Sequence, residues 1–348
     1  MSTRIDTRWA LALLVVLLGA GAGIWWALSG QGRGAGELRQ VYTFSFAGPQ
    51  TLATLTERGL ERFSWPDLRR IGASPRPAPP PAEWSTTTLK IVGGAHAWSA
   101  DGTWLAFQHD DDVEIWRTDG TAPTAVLPGV GHDLVRMGLS ADGRALVTDQ
   151  SDPALAVRRW QLGPGAAEPA APLTDKGALL ALSPDGALAA AYTADGITLI
   201  GIQSGAAARS IPLPVRARVD TAAFSADGAL LAAAGVMQSP EIWVWRVSDG
   251  ALLHTLRGYG DTVAALAFSP DRAQIAAGGG HDEAIARTDT SVRVWRLSDS
   301  SSASFGSTPL PGLPPAATVS RIAFSPDGSA LVVLTSDGML RFWPTPSL

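Results

Sequence analysis

An all-β fold of repeated four-stranded sheets, preceded by one apolar N-terminal helix, is the architecture that the sequence predicts. A Ser-x-Asp-Gly tetrapeptide recurs at a period of about 42 residues. Each copy is followed by a short apolar stretch and then by an alternating segment that usually ends in tryptophan. A third feature, at residues 9–28, is a run without charged or polar side chains. Strand-type repeats at this period indicate the blades of a β-propeller.

The tetrapeptide has the chemistry of a turn. Asp and Ser side chains bond the nearby backbone, and Gly accepts a positive φ. The preceding residues, as in 263–268, are apolar and predict an inner strand buried between neighbouring blades. The aspartates of the six copies are Asp101, Asp142, Asp185, Asp227, Asp271 and Asp327.

The segments that end in tryptophan alternate with period 2, as in residues 291–295 and 339–343, and predict half-buried strands. In the third copy Ile202 takes the position of the tryptophan. The tryptophans at this position are Trp65, Trp116, Trp160, Trp245, Trp295 and Trp343.

Residues 256–271 (LRGYGDTVAALAFSPD) and 289–295 (DTSVRVW) together resemble one unit of the WD-repeat (tryptophan–aspartate repeat) family. Tyr259 stands where that family usually has histidine, and Asp261, Asp289 and Trp295 match its supporting positions. The resemblance covers residues from about 90 to 343. It implies a protein-binding propeller of four-stranded antiparallel blades, in a bacterial-type member that is membrane-anchored or exported.

The sequence also departs from that family. No repeat keeps the Trp-Asp dipeptide, and the one Gly-His pair before a repeat, at residues 131–132, lies too close to Ser140. The side-chain hydrogen-bond network that braces blades in the family is therefore expected to be incomplete.

Residues 37–75 lack the tetrapeptide but show the same order of strands and turns, and their third predicted strand ends at Trp65. We interpret them as a degenerate first blade, which gives seven blades; six is the alternative. The proline-rich stretch 73–83 predicts a loop, because proline cannot donate to a strand ladder. Residues 34–40 are the candidates for the outer strand that completes the last blade.

Four segments divide the chain: an N-terminal flank (1–8), a transmembrane anchor (9–28), a linker (29–36) and the propeller (37–348). Twenty apolar residues span a bilayer core of about 30 Å, and tryptophans lie at both ends of the run. Cleavage near Ala22 would instead make the run a signal peptide and the protein secreted. The anchor is favoured because apolar residues continue beyond that point.

The composition limits the chemistry. The chain has no cysteine, which excludes disulfides and thiol catalysis, and its net charge of -5 argues against nucleic acid as a partner. None of the five histidines has recognisable triad spacing. We therefore predict a monomeric, non-enzymatic propeller without cofactor or metal.

Binding of protein partners is what remains, and the inserted loops and aromatic side chains are where a partner would bind. The aromatic candidates could equally pack between blades, and the acidic insertion near residue 281 could be solvated surface. The candidate partner-binding residues are Trp84, Trp104, Trp243, His281, Asp282 and Glu283.

The leading functional hypothesis is a scaffold that presents a protein-interaction surface at the membrane. One alternative is an envelope sensor or assembly propeller resembling the periplasmic Tol-system type, which shares Ser-Pro-Asp-Gly turns. Another is a propeller hydrolase or lactonase, which would place several carboxylates or histidines at the mouth of the channel.

The first flank, with its terminal amine, is slightly more basic than the second, which predicts a cytoplasmic N-terminus and an extracytoplasmic propeller. A reporter that is active only in the cytoplasm, fused after Leu348, should therefore give no signal. Full activity of that fusion would contradict the predicted orientation.

Overall fold

Seven antiparallel sheets, each a meander of consecutive strands, contain all the strands of the computed structural model. The prediction of seven blades is confirmed, and residues of the degenerate first repeat form a complete four-stranded sheet. The structure describes residues 38, 40–56, 58–75, 96–131, 133–151, 157–163, 168–174, 177–214, 217–235, 241–260, 262–280, 289–297, 308–309 and 318–345.

The strands follow one another in chain order within each blade. Blades 1 and 2 contain β1 Val41–Phe46, β2 Thr51–Thr56, β3 Gly59–Ser64, β4 Arg70–Pro75, β5 His96–Trp98, β6 Trp104–His109, β7 Asp112–Arg117 and β8 Pro123–Leu127. Blades 3 and 4 contain β9 Leu134–Leu139, β10 Ala145–Gln150, β11 Val157–Gln161, β12 Glu168–Thr174, β13 Ala178–Leu182, β14 Leu188–Thr193, β15 Gly196–Gly201 and β16 Ala207–Ile211. Blades 5, 6 and 7 contain β17 Val219–Phe224, β18 Leu230–Gly235, β19 Ile242–Arg246, β20 Leu252–Leu256, β21 Val263–Phe268, β22 Gln274–Gly279, β23 Val292–Arg296, β24 Thr308–Pro309, β25 Val319–Phe324, β26 Ala330–Thr335 and β27 Leu340–Pro344.

Two predicted N-terminal elements fall outside the description. Residues 9–28, the predicted anchor, and most of 34–40, the predicted closing strand, are not among the described residues. Within the described part, the seventh sheet has three strands, and no helix is long and apolar enough to cross a membrane.

The prediction of a loop over residues 73–83 is wrong at its start. Strand β4 extends to Pro75, and Gly59 and Ala73 lie in the ladder that β3 forms with β4. Pro75 is the last residue of an outer strand, where a missing N–H interrupts no further ladder. The rest of the predicted loop lies outside the described residues.

The apolar core lies between the blades. At six interfaces, a buried cluster combines side chains from two consecutive blades. Blades 7 and 1 meet differently: the Val41 N–H donates to the Gly338 carbonyl oxygen at 3.0 Å, and the rings of Trp65 and Phe342 lie 5.9 Å apart. Burial of this apolar surface is the main stabilising contribution to the fold.

The Ser-x-Asp-Gly turn has one geometry in all six copies. The buried serine Oγ donates to the aspartate Oδ1 at 2.5–2.7 Å and accepts the N–H of the residue five positions later at 2.8–2.9 Å. The aspartate also accepts the N–H two residues later, as at Arg144 (3.0 Å). The serine bond lowers the pKa of the Asp142, Asp185 and Asp271 carboxyls. The turn thereby holds the first two strands of its blade together.

Each of these turns also lies against the preceding blade. A Cβ at Gly186 would lie 2.7 Å from the Ser140 Cβ, and one at Gly328 would lie 3.8 Å from the Pro270 Cδ. In blade 6, Arg272 occupies the glycine position with a φ of 61°, and its guanidinium pairs with Asp227 of the preceding blade at 2.7 Å.

Comparing two of these glycines separates the need for a positive φ from the need for space beside the preceding blade. Gly102 and Gly328 have φ values of 68° and 71°, but only at Gly102 would a Cβ overlap a backbone atom, the Phe46 carbonyl oxygen. We expect Gly328→Ala to cost about 1 kcal/mol, because alanine disfavours this conformation. Gly102→Ala should cost about 1–3 kcal/mol more, because the backbone of blade 1 must shift. Thermal unfolding of the purified chain measures both; equal decreases in Tm would contradict the proposed contact between turns.

Candidate functional site

A central cavity of about 1200 Å³ is the candidate site, and residues from the inner strands of all seven blades line it. The inner strand is the first strand of each blade: β1, β5, β9, β13, β17, β21 and β25. Each runs from one mouth of the cavity to the Ser-x-Asp-Gly turns, or to the equivalent turn of blade 1, at the other. Clefts of this size accommodate small molecules or a segment of polypeptide.

A ring of small side chains surrounds the cavity near the turns. It consists of the next-to-last residue of each inner strand: Ser45, Ala97, Gly138, Ala181, Ala223, Ala267 and Ala323. The inner strands approach closely here, since a Cβ at Gly138 would lie 2.5 Å from the Leu182 side chain of the next blade. Small residues satisfy this close approach and leave the cavity wide.

The other end, which we call the polar mouth, carries β-bulges. In five inner strands the register shifts directly after the first residue, and the extra residues are Tyr42, Val135, Asp220, Ala264 and Ser320. All five line the cavity. A sixth inner strand, β13, shifts one residue further along, at Leu180. A bulge turns the side chain of its extra residue away from the regular alternation, so the polar mouth carries side chains that a regular strand would direct elsewhere.

The three carboxylates that line the described cavity all have partners. Asp101 accepts bonds from Ser99 and Thr103, and Asp220 accepts one from the Arg218 Nε at 3.0 Å. Burial opposes ionisation of Asp337, but its bonds to Arg341 and Thr335 outweigh this and lower its pKa.

Two arginines line the cavity at equivalent positions of their strands, and their environments differ. The Arg136 Nη1 donates to the Leu179 carbonyl oxygen of the next blade at 2.8 Å. The Asp149 carboxylate accepts the Leu179 N–H at 2.9 Å. Two side chains of blade 3 therefore bond the carbonyl oxygen and the N–H of one residue in blade 4. Arg321 lies over the Phe44 ring of blade 1 at 5.7 Å, and its buried Nε has no hydrogen-bond partner in the described structure.

His96 is the one histidine in the lining that the structure describes, and it is held neutral. Burial, with a further contribution from the positive charge of Arg321, lowers the pKa of His96 to about 3. An imidazole with this pKa cannot act as a general base near neutral pH, because catalytic pKa values lie near the working pH.

Two of the predicted partner-binding residues, Trp104 and Trp243, are described, and neither lines this cavity. Trp243 is 0% exposed and packs near Trp245, with ring centroids 6.3 Å apart, so no partner can reach its indole in this fold. Trp104 is half-buried, its ring lies under Arg117, and a Cβ at Gly143 would overlap it. Trp84, His281, Asp282 and Glu283 lie outside the described residues, within which no cluster of potential metal ligands occurs.

The predicted structural tryptophans lie in the third strand of their blades or directly after it. The hydrogen-bond partner of the indole N–H differs from blade to blade. The Trp116 Nε1 donates to the Glu114 Oε2 at 2.7 Å, and Glu114 also bonds His109. In blade 3 the Trp160 indole donates to the Thr148 Oγ1 at 2.8 Å. The Trp295 Nε1 has no hydrogen-bond partner in the described residues.

Tyr259, at the position where the WD-repeat pattern has histidine, donates to the Ala277 carbonyl oxygen at 2.6 Å and lies 3.0 Å from that of Ser291. Burial raises the pKa of its phenol above the usual range. The tyrosine therefore joins the second and third strands of blade 6 as a neutral hydrogen-bond donor.

Arg136 and Arg321 were missed by reasoning from the sequence, although a signal exists. Each lies four residues before the serine of its Ser-x-Asp-Gly turn. The other turns have Ala95, Leu179, Thr221 and Ala265 at that position. Aligning the repeats on the serine would have identified two basic positions on inner strands.

Comparisons with known proteins agree with the fold. The family described as "WD domain, G-beta repeat" matches residues 250–296 and 311–344, which contain strands of blades 5, 6 and 7. Over 135 residues the chain is 31% identical to the periodic tryptophan protein 2 homolog of Schizosaccharomyces pombe, which covers 39% of this chain and 14% of that protein. It is 36% identical over 154 residues to an uncharacterized WD repeat-containing protein of Synechocystis, covering 44% of this chain and 39% of that protein.

Two solved structures share the architecture. The β-propeller domain of Cps50 (Swd1) from Myceliophteria thermophila has a TM-score of 0.66 at 13% identity, covering 88% of this chain and 97% of that chain. A chain of the Mitotic Checkpoint Complex has a TM-score of 0.61 at 18% identity, covering 88% and 89%. The fold is a seven-bladed β-propeller, and residues within its blades 5 to 7 are similar to the WD-repeat family. The chain spans well under half the length of the two curated relatives.

The lowered pKa of His96 predicts a pH-dependent stability. The unfolded chain binds a proton at His96 below about pH 6.5, whereas the folded chain does so only near pH 3. The contribution of neutral His96 to the free energy of unfolding is therefore fully present above pH 6.5. It decreases as the pH falls toward 3, by at most about 1.4 kcal/mol per pH unit. Because His96 is partly exposed to the cavity, the slope should be a fraction of this value.

Unfolding of the wild type and of His96→Gln between pH 7 and pH 4.5 measures this contribution. The wild type should lose stability over this range more steeply than the variant. Parallel profiles for the two proteins would contradict a neutral, buried His96.

Proposed function

We propose that this protein is a non-enzymatic scaffold whose propeller binds a protein partner at the face that surrounds the polar mouth. The supporting observation is the cavity itself: its described carboxylates are engaged in bonds of the fold, and its histidine has a pKa of about 3. A hydrolase would need a base with a pKa near the working pH and a free acid beside it.

An exposed apolar side chain at the polar mouth supports the same proposal. Val135 is 38% exposed at a bulge of blade 3, and Asp220 and Ser320 occupy the corresponding bulges of blades 5 and 7. Apolar side chains surrounded by polar ones are typical of protein-interaction surfaces. A chain with this fold is also part of a solved multiprotein assembly, the Mitotic Checkpoint Complex.

The second part of the proposal is that the propeller is presented at a membrane. It rests on the apolar run at residues 9–28, long enough for a bilayer core of about 30 Å, and on the basic flank before it. In this proposal the run is retained as an anchor, and the propeller lies outside the cytoplasm. Intact mass of the membrane-bound protein tests this part, because cleavage near Ala22 would remove the run.

A matched pair of valines tests the proposed face. Val135 lies at the polar mouth and is 38% exposed, whereas Val126 is 44% exposed on β8, the outer strand of blade 2. Val135→Glu should abolish the specific crosslinks of the full-length protein in its native membranes, because it places a charge in the interface. Val126→Glu should leave the crosslinks unchanged.

Mass spectrometry of the crosslinked products identifies the partner and the crosslinked residues. Equal loss of crosslinks in both variants would contradict the choice of face. Recovery of no protein partner, together with tight binding of a divalent ion, would contradict the scaffold itself.

A further inference from the structure

A half-buried arginine without an acidic partner lies in the wall of the cavity. The Arg321 guanidinium lies over the Phe44 ring, its Nε is buried without a hydrogen-bond partner, and it forms no ion pair among the described residues. Burial lowers its pKa to about 10, so the side chain still carries its charge at neutral pH. An uncompensated charge in such a position is unfavourable for the fold.

The repeat does not require an arginine at this position. The equivalent residues of the other blades include Ala95, Leu179, Thr221 and Ala265, and those blades have the same turn and the same strand order. The second arginine, Arg136, has a carbonyl acceptor in the next blade. Of the two arginines in the cavity lining, Arg321 is the one whose guanidinium donates no hydrogen bond to another described residue.

The surroundings of Arg321 leave its charge unneutralised. The described carboxylates of the lining are bonded to other groups, and the neutral His96 is close enough for the charge of Arg321 to depress its pKa. The Ser336 hydroxyl, which accepts the Thr318 N–H, also lines the cavity and still has a proton to donate. The result is a positively charged wall with neutral donors, open to a cavity of about 1200 Å³.

We propose that this wall is a binding site for one oxyanion group, a carboxylate or a phosphate, held by the Arg321 guanidinium. The two Nη atoms offer paired donors that match the geometry of such a group, and Phe44 supports the guanidinium from its face. His96 and Ser336 supply further hydrogen-bond donors. The group belongs either to a free small anion or to an acidic side chain that enters the cavity. The site is a property of the cavity and does not depend on the proposed protein partner.

Calorimetric titration of the purified full-length chain, at constant ionic strength in chloride, tests the proposal with three probes: inorganic phosphate, citrate and a capped triglutamate peptide. We expect saturable binding of at least one probe, weakened at least tenfold in Arg321→Met. Arg136→Met is the matched control, because it removes an arginine from the same repeat position, and it should change the affinity less than twofold.

Thermal unfolding supplies a second readout. Without ligand, Arg321→Met should be at least as stable as the wild type, because an apolar side chain replaces an unpaired, half-buried charge. The wild type should gain stability from the probe that binds, and Arg321→Met should not. Arg321→Gln serves in its place if the methionine variant does not fold.

The three probes distinguish the source of the group. Binding of phosphate or citrate identifies a free anion, and binding of the peptide alone identifies an acidic side chain. Binding of none of them, or equal binding by the wild type and the Arg321 variants, overturns the proposal. Both results leave the crosslinking test of the scaffold unaffected, since that test depends on Val135.

Discussion

The hydrogen bond from serine to aspartate in the Ser-x-Asp-Gly turn is the interaction on which the rest of this propeller depends. It fixes the backbone between the first two strands of six blades, with the serine buried in each copy. The glycine that follows has a positive φ in five of the six copies, and in several blades it faces the turn of the preceding blade. One local motif therefore determines both the shape of a blade and its distance from the neighbouring blade.

The geometry of the cavity follows from that spacing. Turns that lie against one another bring the ends of the inner strands together, and only small side chains fit where these strands approach, as at Gly138. The apolar side chains that the strands bury are contributed to interfaces between blades, so no blade has a complete core by itself. At the polar mouth, the bulges add side chains such as those of Val135 and Ser320 to the lining of the cavity.

Much of this architecture could be predicted from the sequence, because the turn chemistry is local. The tetrapeptide located six blades, and the order of apolar strands and turns located the first blade without it. What could not be predicted depends on contacts between repeats. Trp243 and Trp245 lie two residues apart on the same face of one strand, and only packing against the neighbouring blade shows that both are buried. The different environments of Arg136 and Arg321 depend likewise on which blade follows.

The junction between blades 7 and 1 is where the regular pattern changes. Blade 1 lacks the tetrapeptide, and Gly48 in its equivalent turn has open space where other glycines face a neighbouring turn. On inner strands, residues equivalent to Arg136 face the next blade, and Arg136 finds a carbonyl oxygen there. Arg321 faces blade 1, where its guanidinium lies over the Phe44 ring. An aromatic ring attracts a cation at its face, but it has no oxygen that could accept hydrogen bonds from the guanidinium N–H groups. The irregular blade therefore leaves one strong donor group in the cavity lining without an acceptor among the described residues. This is why the proposed oxyanion site lies at this junction and not at one of the other six interfaces between blades.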